Sequence, residues 1–495
     1  MSSTVMENEQ RYNRTKLWRI GFFTLNNTAT NIYLFLIGFL SYYAAGIAGL
    51  AVVLVSTLLG AARLFDGLID PTIGYIIDKT ETKFGKFRPI IVIGNIITIL
   101  SVVLIFTTHL LPEGFRLIFI IFALVVHKIG YSLQTSATKA GQTVLTNDPK
   151  QRPLYMAFDG VYNIFVFTVG QFYVANYLVA KYGNFTMSLF IELVATAVIL
   201  STIFTILAVI GISSKDKKEY YGLGEETVET KSLRDYWRVI KGNRQLQLLT
   251  ISASMDKLGN TLGRDAVVTV MLFGILLGNY GLSGTIGLIT VIPGLLITFF
   301  VTWLARKSGL RKTYLIAAWI GLLSYLAFIP FFLILDDPTV ISLESIGFAT
   351  ILFILLRTFA QGFGGAPTTL VVPMIADVSD YETAKSGRYV AGMFGTIFSF
   401  IDQLVSSLAP IIVGFVVAAI GFGEAYPTVT DTLTPSLLTG LIVLAFIIPA
   451  ACLLIAAITM HFYKLDRKTM EDVQDKISKA RGNSPSPKTP NETAV

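Results

Sequence analysis

The chain has 495 residues, 53% of them hydrophobic and only 14% charged, and its mean hydropathy is +0.65. Soluble domains carry about 25% charged residues, so a chain folded for water alone is excluded and lipid is the expected solvent. The formal charge of +7 sits in short loops between apolar runs, which argues for membrane orientation and against nucleic acid as a partner, and the single Cys452 excludes an internal disulfide.

Residues 1–16 are polar, and the apolar run that follows is of spanning length rather than a short signal-peptide core, so no cleavable leader is expected. A spanning helix needs about 20 mostly apolar residues. Such runs occur at 17–40, 48–77, 89–110, 115–145, 155–180 and 185–211, then at 246–277, 283–305, 313–335, 345–376, 389–419 and 434–463. The pattern predicts an all-α integral membrane protein of twelve transmembrane helices in two six-helix bundles, 17–211 and 246–463. A cytoplasmic linker at 212–245 joins them, with a cytoplasmic arm at 1–16 and a disordered cytoplasmic tail at 464–495 ending in Ser, Pro and polar residues.

Alternate loops differ in charge. One set holds Lys79, Lys83, Lys86, Arg88, Lys150, Arg152, Arg306, Lys307, Arg311, Lys312, Lys385 and Arg388. The other holds only Arg116 and Lys181, beside Glu113, Asp336, Asp337, Glu344, Glu424 and Asp431. Lys and Arg are retained on the cytoplasmic side, which places both termini there, in a plasma or inner membrane. The loops after helices two and eight each set a turn glycine, Gly85 or Gly309, among cations, a weak sign of an internal repeat.

An ionisable side chain at a helix centre costs at least about 2.5–3.5 kcal/mol even on insertion scales, so such groups mark partners or a hydrated path. Helix two carries Arg63, Asp66 and Asp70 at spacings of three and four, on one face. At about 1.5 Å per residue from Asp78, Asp70 lies about 12 Å and Asp66 about 18 Å into the helix. Two carboxylates so placed repel unless a cation or proton lies between them, and clustered oxygens suit hard cations; a static pair with Arg63 is the plainer alternative. Helix four carries Lys128, Tyr131, Ser132, Thr135, Lys139 and Gln142 largely on one stripe, facing a cavity or neighbouring helices. Lys139 lies close to the depth of Asp70, and pairing with it would substitute for a bound cation. Helix seven carries Asp256, Lys257, Asn260, Arg264 and Asp265, and Arg357 with Gln361 precedes a Gly-rich stretch of helix ten ending at Pro367, a gate or a plain kink.

Arg63-Leu64-Phe65-Asp66-Gly67-Leu68-Ile69-Asp70-Pro71, followed by Gly74 and Gly85-Lys86-Phe87-Arg88-Pro89, resembles the helix-two signature of the glycoside–pentoside–hexuronide cation symporters, the melibiose-permease-like branch of the major facilitator superfamily. A second match is Ala376-Asp377-Val378-Ser379-Asp380-Tyr381-Glu382 with Gly387-Arg388, in the loop expected before helix eleven. The resemblance implies the major facilitator fold and a cation site at Asp66 and Asp70, to which Ser132 and Thr135 are added, with Na+ or H+ as coupling ion and no other cofactor. Substrate contacts are expected from Thr30, Lys128, Tyr131, Lys139, Asp159, Asn163, Asp256, Lys257, Asn260 and Asp402. Gating is expected from Arg63, Asp78, Lys86, Arg88, Arg357, Asp377, Asp380, Glu382 and Arg388, with salt bridges between the basic loops and the acidic groups latching an outward-facing state. The charge pattern departs from that of the family. Lys139 stands where an aromatic is usual, Thr30 and Thr135 near acidic sugar-binding positions, and Asp159 and Asp402 near an arginine and a lysine. Melibiose itself therefore fits poorly, and Lys128 with Lys139 would suit an anionic sugar unless Asp159 or Asp402 neutralises them.

His109, His127 and His461 lie on different segments and make no zinc-like set; no nucleotide-binding or hydrolase motif occurs, so no enzyme is expected. The expected function is secondary active transport: cation-coupled symport of a sugar, glycoside or hexuronide by alternating access, in contact with lipid and without an obligatory protein partner. The alternatives are an uncoupled facilitator, a lysolipid or amphiphile carrier and, from another class, a non-transporting membrane sensor. Buried charges in both halves favour transport.

Overall fold

The computed structural model describes residues 13–146, 148, 151–221, 242–386 and 391–480; within them the side chains of Asp66, Asp70 and Asp78, among others, lie outside the description. The helices are α1 (Leu17–Gly46, broken at Gly38–Phe39), α2 (Val52–Lys79), α3 (Phe87–Phe106), α4 (Glu113–Leu145), α5 (Arg152–Tyr182) and α6 (Met187–Ile212). There follow α7 (Arg244–Gly263, resuming as Ala266–Leu276), α8 (Gly281–Ser308), α9 (Leu310–Ile334), α10 (Phe348–Ser386), α11 (Ala391–Ser406 and Leu408–Ala419), α12 (Pro435–His461) and α13 (Arg467–Ala480). Among the described residues ten helices are long and apolar enough to cross a membrane, and α2 and α7 contribute the shorter apolar stretches Val52–Phe65 and Ala266–Leu276. The protein is an all-α, integral multi-pass membrane protein.

The packing repeats. In the first half α1 lies on α6 and α3 on α4; in the second α7 lies on α12 and α9 on α10. The halves meet along α2–α11 and α5–α8, and exchanging the first six helices for the second six converts one seam into the other, as expected of two related bundles about a shared axis. Both seams are built on small residues, which let helix backbones approach closely. A methyl group on Gly414 of α11 would meet Ser56 Oγ of α2 at 2.1 Å, one on Gly60 of α2 would meet the Ser407 carbonyl at 2.8 Å, and one on Gly284 of α8 would meet Phe172 Cα of α5 at 2.6 Å.

Three sequence expectations need correction. Helix seven is not continuous: Arg264 and Asp265 interrupt it, and the Asp265 carboxylate accepts the Val267 N–H at 2.9 Å, starting a fresh helical turn. Asp377, Asp380 and Glu382 do not lie in a loop, because α10 runs on to Ser386. The tail is not wholly disordered: α13 places Met470, Val473 and Ile477 on one stripe, with Val473 and Ile477 buried and the helix packed on α10.

The α2–α11 seam yields a direct test. Gly414→Val forces side-chain bulk into it and is expected to cost about 1–3 kcal/mol, read as a lowered thermal unfolding midpoint of the purified protein in detergent. An unchanged midpoint would mean that the seam is not close-packed.

Candidate functional site between the two halves

Polar residues spaced one turn apart tie α1 to α5. Asn27 Nδ2 donates to Asp159 Oδ1 at 2.6 Å, Asn163 Nδ2 donates to Asp159 Oδ2 at 3.1 Å, and Asn31 Nδ2 donates to Asn163 Oδ1. Both helices use an i,i+4 pair, which presents the side chains as a ladder. Asp159 and Asn163 are half-buried. Asp159 is thus held by two amides, and neither Lys128 nor Lys139 forms an ion pair with it. Asn26 reaches from α1 to α4, donating to Thr138 Oγ1 at 2.6 Å and the Gln134 carbonyl at 3.1 Å.

On α4 the half-buried Lys128 ammonium lies 5.6 Å from the centre of the Tyr131 ring, and Ser132 is buried. The Thr135 hydroxyl donates to the carbonyls of Tyr131 and Ser132 in its own helix. Lys139 is exposed and forms no ion pair with a described residue; the Asp70 carboxylate expected beside it lies outside the described side chains, as does that of Asp66. His127 is buried, 3.2 Å from Ser101 Oγ, a satisfied helix histidine. Thr30 is fully buried and its hydroxyl donates to the Asn27 carbonyl.

In the second half Lys257 of α7 forms an ion pair with Asp402 of α11. This pair consumes the carboxylate that the sequence offered to the cations of α4. Asp256, one residue earlier, is 1% exposed. Its neighbour Asn260 donates to the Gly364 carbonyl at 3.0 Å. Arg357 stays inside this half, its guanidinium 4.7 Å from the centre of the Phe273 ring beside a cavity of about 20 Å³ lined by Tyr325 and Gln361, room for about one water.

Among the described residues, hydrogen bonds that cross between the halves cluster at the end where α1 finishes and α2 begins. Tyr42 Oη donates to the Pro427 carbonyl at 3.1 Å and Tyr426 Oη to the Val52 carbonyl at 3.2 Å, while the Gly423 carbonyl accepts the Val52 N–H at 3.0 Å. On the α5–α8 side Gln171 donates to Ser283 Oγ at 2.9 Å and Asn176 to Thr285 Oγ1 at 3.0 Å. The Tyr42 ring stacks on Phe185 at 4.2 Å. Midway along the bundle, Arg63 of α2 donates to the Ser406 carbonyl of α11 at 3.1 Å.

At the other end several of the residues expected to latch the halves make bonds within one side of the molecule. Arg88 pairs with Asp216 of the linker at 3.3 Å, Glu382 accepts from Asn243 at 2.8 Å, and Asp380 accepts from Gln474 of α13 at 2.7 Å. Lys86 lies 5.9 Å from the Tyr221 ring, and Asp377 is half-buried on α10. The Asp78 side chain and Arg388 lie outside the described residues.

Asp216 has a different task. Its carboxylate accepts the backbone N–H groups of Lys86 at 2.8 Å, Phe87 at 3.1 Å and Arg88 at 2.9 Å, and the Tyr221 hydroxyl at 2.7 Å. It therefore satisfies the free donors at the start of α3 from a distant segment. Gly85, at φ +99°, makes room: a methyl group there would meet Asp216 Oδ2 at 2.3 Å. Burial, followed by the hydrogen bond to Asp216 and its charge, pushes the Tyr221 hydroxyl above its usual range.

Sequence reasoning singled out Asp159, Asn163, Lys257 and Asp402 but missed Asn27, Asn31, the cross-half donors Tyr42, Gln171 and Asn176, and the role of Asp216. The i,i+4 spacing of Asn27 and Asn31 was a usable signal; nothing local marks Asp216 as a cap.

Residues 21–467 match the family described as MFS/sugar transport protein. The glucuronide carrier protein homolog of Escherichia coli (strain K12) is 23% identical over 93% of this chain and 95% of its own. The isoprimeverose transporter of Lactiplantibacillus pentosus is 22% identical over 92% of this chain and 90% of its own. Among solved structures the nucleoside transporter NupG superposes with a TM-score of 0.60 at 12% identity, covering 90% of this chain and all of that one, which shows the shared fold.

Asp216→Ala removes a carboxylate that satisfies three backbone donors. It is expected to lower stability by about 1–3 kcal/mol, measured as thermal unfolding in detergent, and Gly85→Ala, which pushes the same carboxylate away, is expected to act in the same direction. Parent-like melting of Asp216→Ala would refute the capping role.

Proposed function

The chain belongs to the MFS/sugar transport protein family, and from that premise we propose that it is a secondary active transporter coupling a sugar, glycoside or sugar acid to a cation gradient by alternating access. The observation that carries this reading is the uneven closure of the bundle. Among the described residues cross-half hydrogen bonds gather at one end, whereas Asp159 and Lys257, from opposite halves, stay partly exposed inside the bundle. The basic loops put both termini in the cytoplasm, so the end held by these bonds faces away from it, and the plasma membrane is the fitting location.

Carboxylate and amide edges such as those of Asp159, Asn163 and Asn31 suit the hydroxyls of a sugar, and Lys257 supplies a cation for an acidic one. The names of the relatives, a glucuronide carrier homolog and an isoprimeverose transporter, favour a glycoside or sugar acid over an amphiphile. Asp66 and Asp70 of α2, with Ser132 and Thr135 of α4, are the proposed cation site for Na+ or H+. The two halves rock about the site, and ligand binding biases one state.

A panel of sugars, glycosides and hexuronides offered to proteoliposomes under imposed proton or sodium gradients tests the reading. One class is expected to accumulate against its gradient and to stop when an ionophore collapses the ion gradient. Asp159→Ala is expected to slow that uptake about tenfold, the worth of one hydrogen bond to a charged group. Uptake that only equilibrates, with or without an ion gradient, would rule out coupling.

A further inference from the structure

Asp256 differs from the other charges at the centre of the bundle. It lies on α7 inside the second half and is 1% exposed. Thr368 of α10 donates its hydroxyl to Asp256 Oδ2 at 2.5 Å, and Asn260, one turn along α7, donates to Oδ1 at 3.3 Å. Among the described residues no lysine, arginine or histidine lies within ion-pair distance of it; the adjacent Lys257 is turned to Asp402. Facing it from the packed elements are Arg264 on α7 itself, Tyr314 and Tyr325 on α9, Asp402 on α11 and Cys452 on α12. Of these only Arg264 is a cation, and it lies beyond salt-bridge reach.

A charged carboxylate in such a place costs several kcal/mol unless a cation offsets it, whereas a neutral carboxylic acid needs only its hydrogen bonds. The missing partner is therefore a small cation that no described residue supplies. Sodium fits badly. A hard metal ion gathers several oxygen atoms around itself, but here the Asn260 amide N–H group is already aimed at Asp256 Oδ1 and at the Asp256 and Gly364 carbonyls, at 3.3, 3.2 and 3.0 Å. Those oxygens are turned to a donor and form no cage. A proton needs none. Thr368 also supplies a route, since it is itself exposed, on a helix face next to that of Gly365 and the exposed Arg264; its hydroxyl links the buried acid to the outside of this half.

We propose that Asp256 is a proton-binding site of the transport cycle, separate from the carboxylates of α2. It takes a proton from water on one side of the membrane, carries it as a neutral carboxylic acid, and returns it to water on the other. Only the direction of proton movement rests on the transport reading above; the binding itself requires no sugar.

The full chain, reconstituted in lipid without any sugar, tests this by infrared difference spectroscopy between acid and alkaline pH. The parent is expected to show the carbonyl stretch of a protonated carboxylic acid, and Asp256→Asn to lack one carboxyl group's share of it. Sodium added at constant pH is expected to leave that share in place. Should Asp256→Asn fail to fold, Thr368→Val decides: it keeps the acid, removes its donor, and is expected to move the band in frequency. A band unchanged by the deciding variant, or one removed by sodium, overturns the proposal. Absence of coupled sugar uptake alongside an intact Asp256 band would strike the transport reading and leave the proton site standing.

Discussion

A carboxylate or amide inside an apolar bundle must find its donors and acceptors within the protein, because lipid offers none. In this protein that constraint is met by pairing across helices. Asp159 on α5 is held by Asn27 on α1, Asp256 on α7 by Thr368 on α10, and Lys257 on α7 by Asp402 on α11. Each pairing fixes the rotation of one helix against another, which apolar packing alone leaves loosely set. The first lies within the N-terminal bundle and the other two within the C-terminal bundle, so each half is internally cross-braced.

The contacts between the halves have another character. The α2–α11 and α5–α8 seams rest on glycine and serine, with the hydrogen bonds among the described residues gathered toward one end. Neutral hydrogen bonds contribute about 0.5–1.5 kcal/mol each, enough together to hold one end closed and few enough to be exchanged for contacts elsewhere. Two braced bodies joined by a modest, one-sided set of bonds are suited to rigid-body rocking.

Much of this architecture was legible in the sequence, because apolar runs of spanning length must become helices in lipid and because loop cations mark one side. Lys257, as a charge on helix seven, and Asp159 and Asp402, as departures from the family's charge pattern, were also marked as consequential. Their partners were not legible: Lys257 and Asp402 are 145 residues apart, and only the packing of α7 on α11 brings them together. That packing also reversed their meaning, since Asp402 serves Lys257 rather than the lysines of α4. Asp216 shows the same limit, as a linker aspartate with no local mark caps a helix that begins 129 residues earlier. The misread tail has a different cause. Its Ser-Pro ending dominated the composition and hid the 3.6-residue periodicity of Met470, Val473 and Ile477, which was present to be read.

The central claim is that closure at one end of the bundle alternates with closure at the other. Spin labels at Asn184 and Thr430, whose side chains join the halves at the closed end at 3.3 Å, with a second pair at Glu81 and Lys385 at the opposite end, report both by electron–electron distance measurement. The account predicts that solute plus coupling ion populates a state in which the first distance lengthens while the second shortens. Two distances that stay fixed, or that lengthen together, under every combination of solute and ion would contradict it.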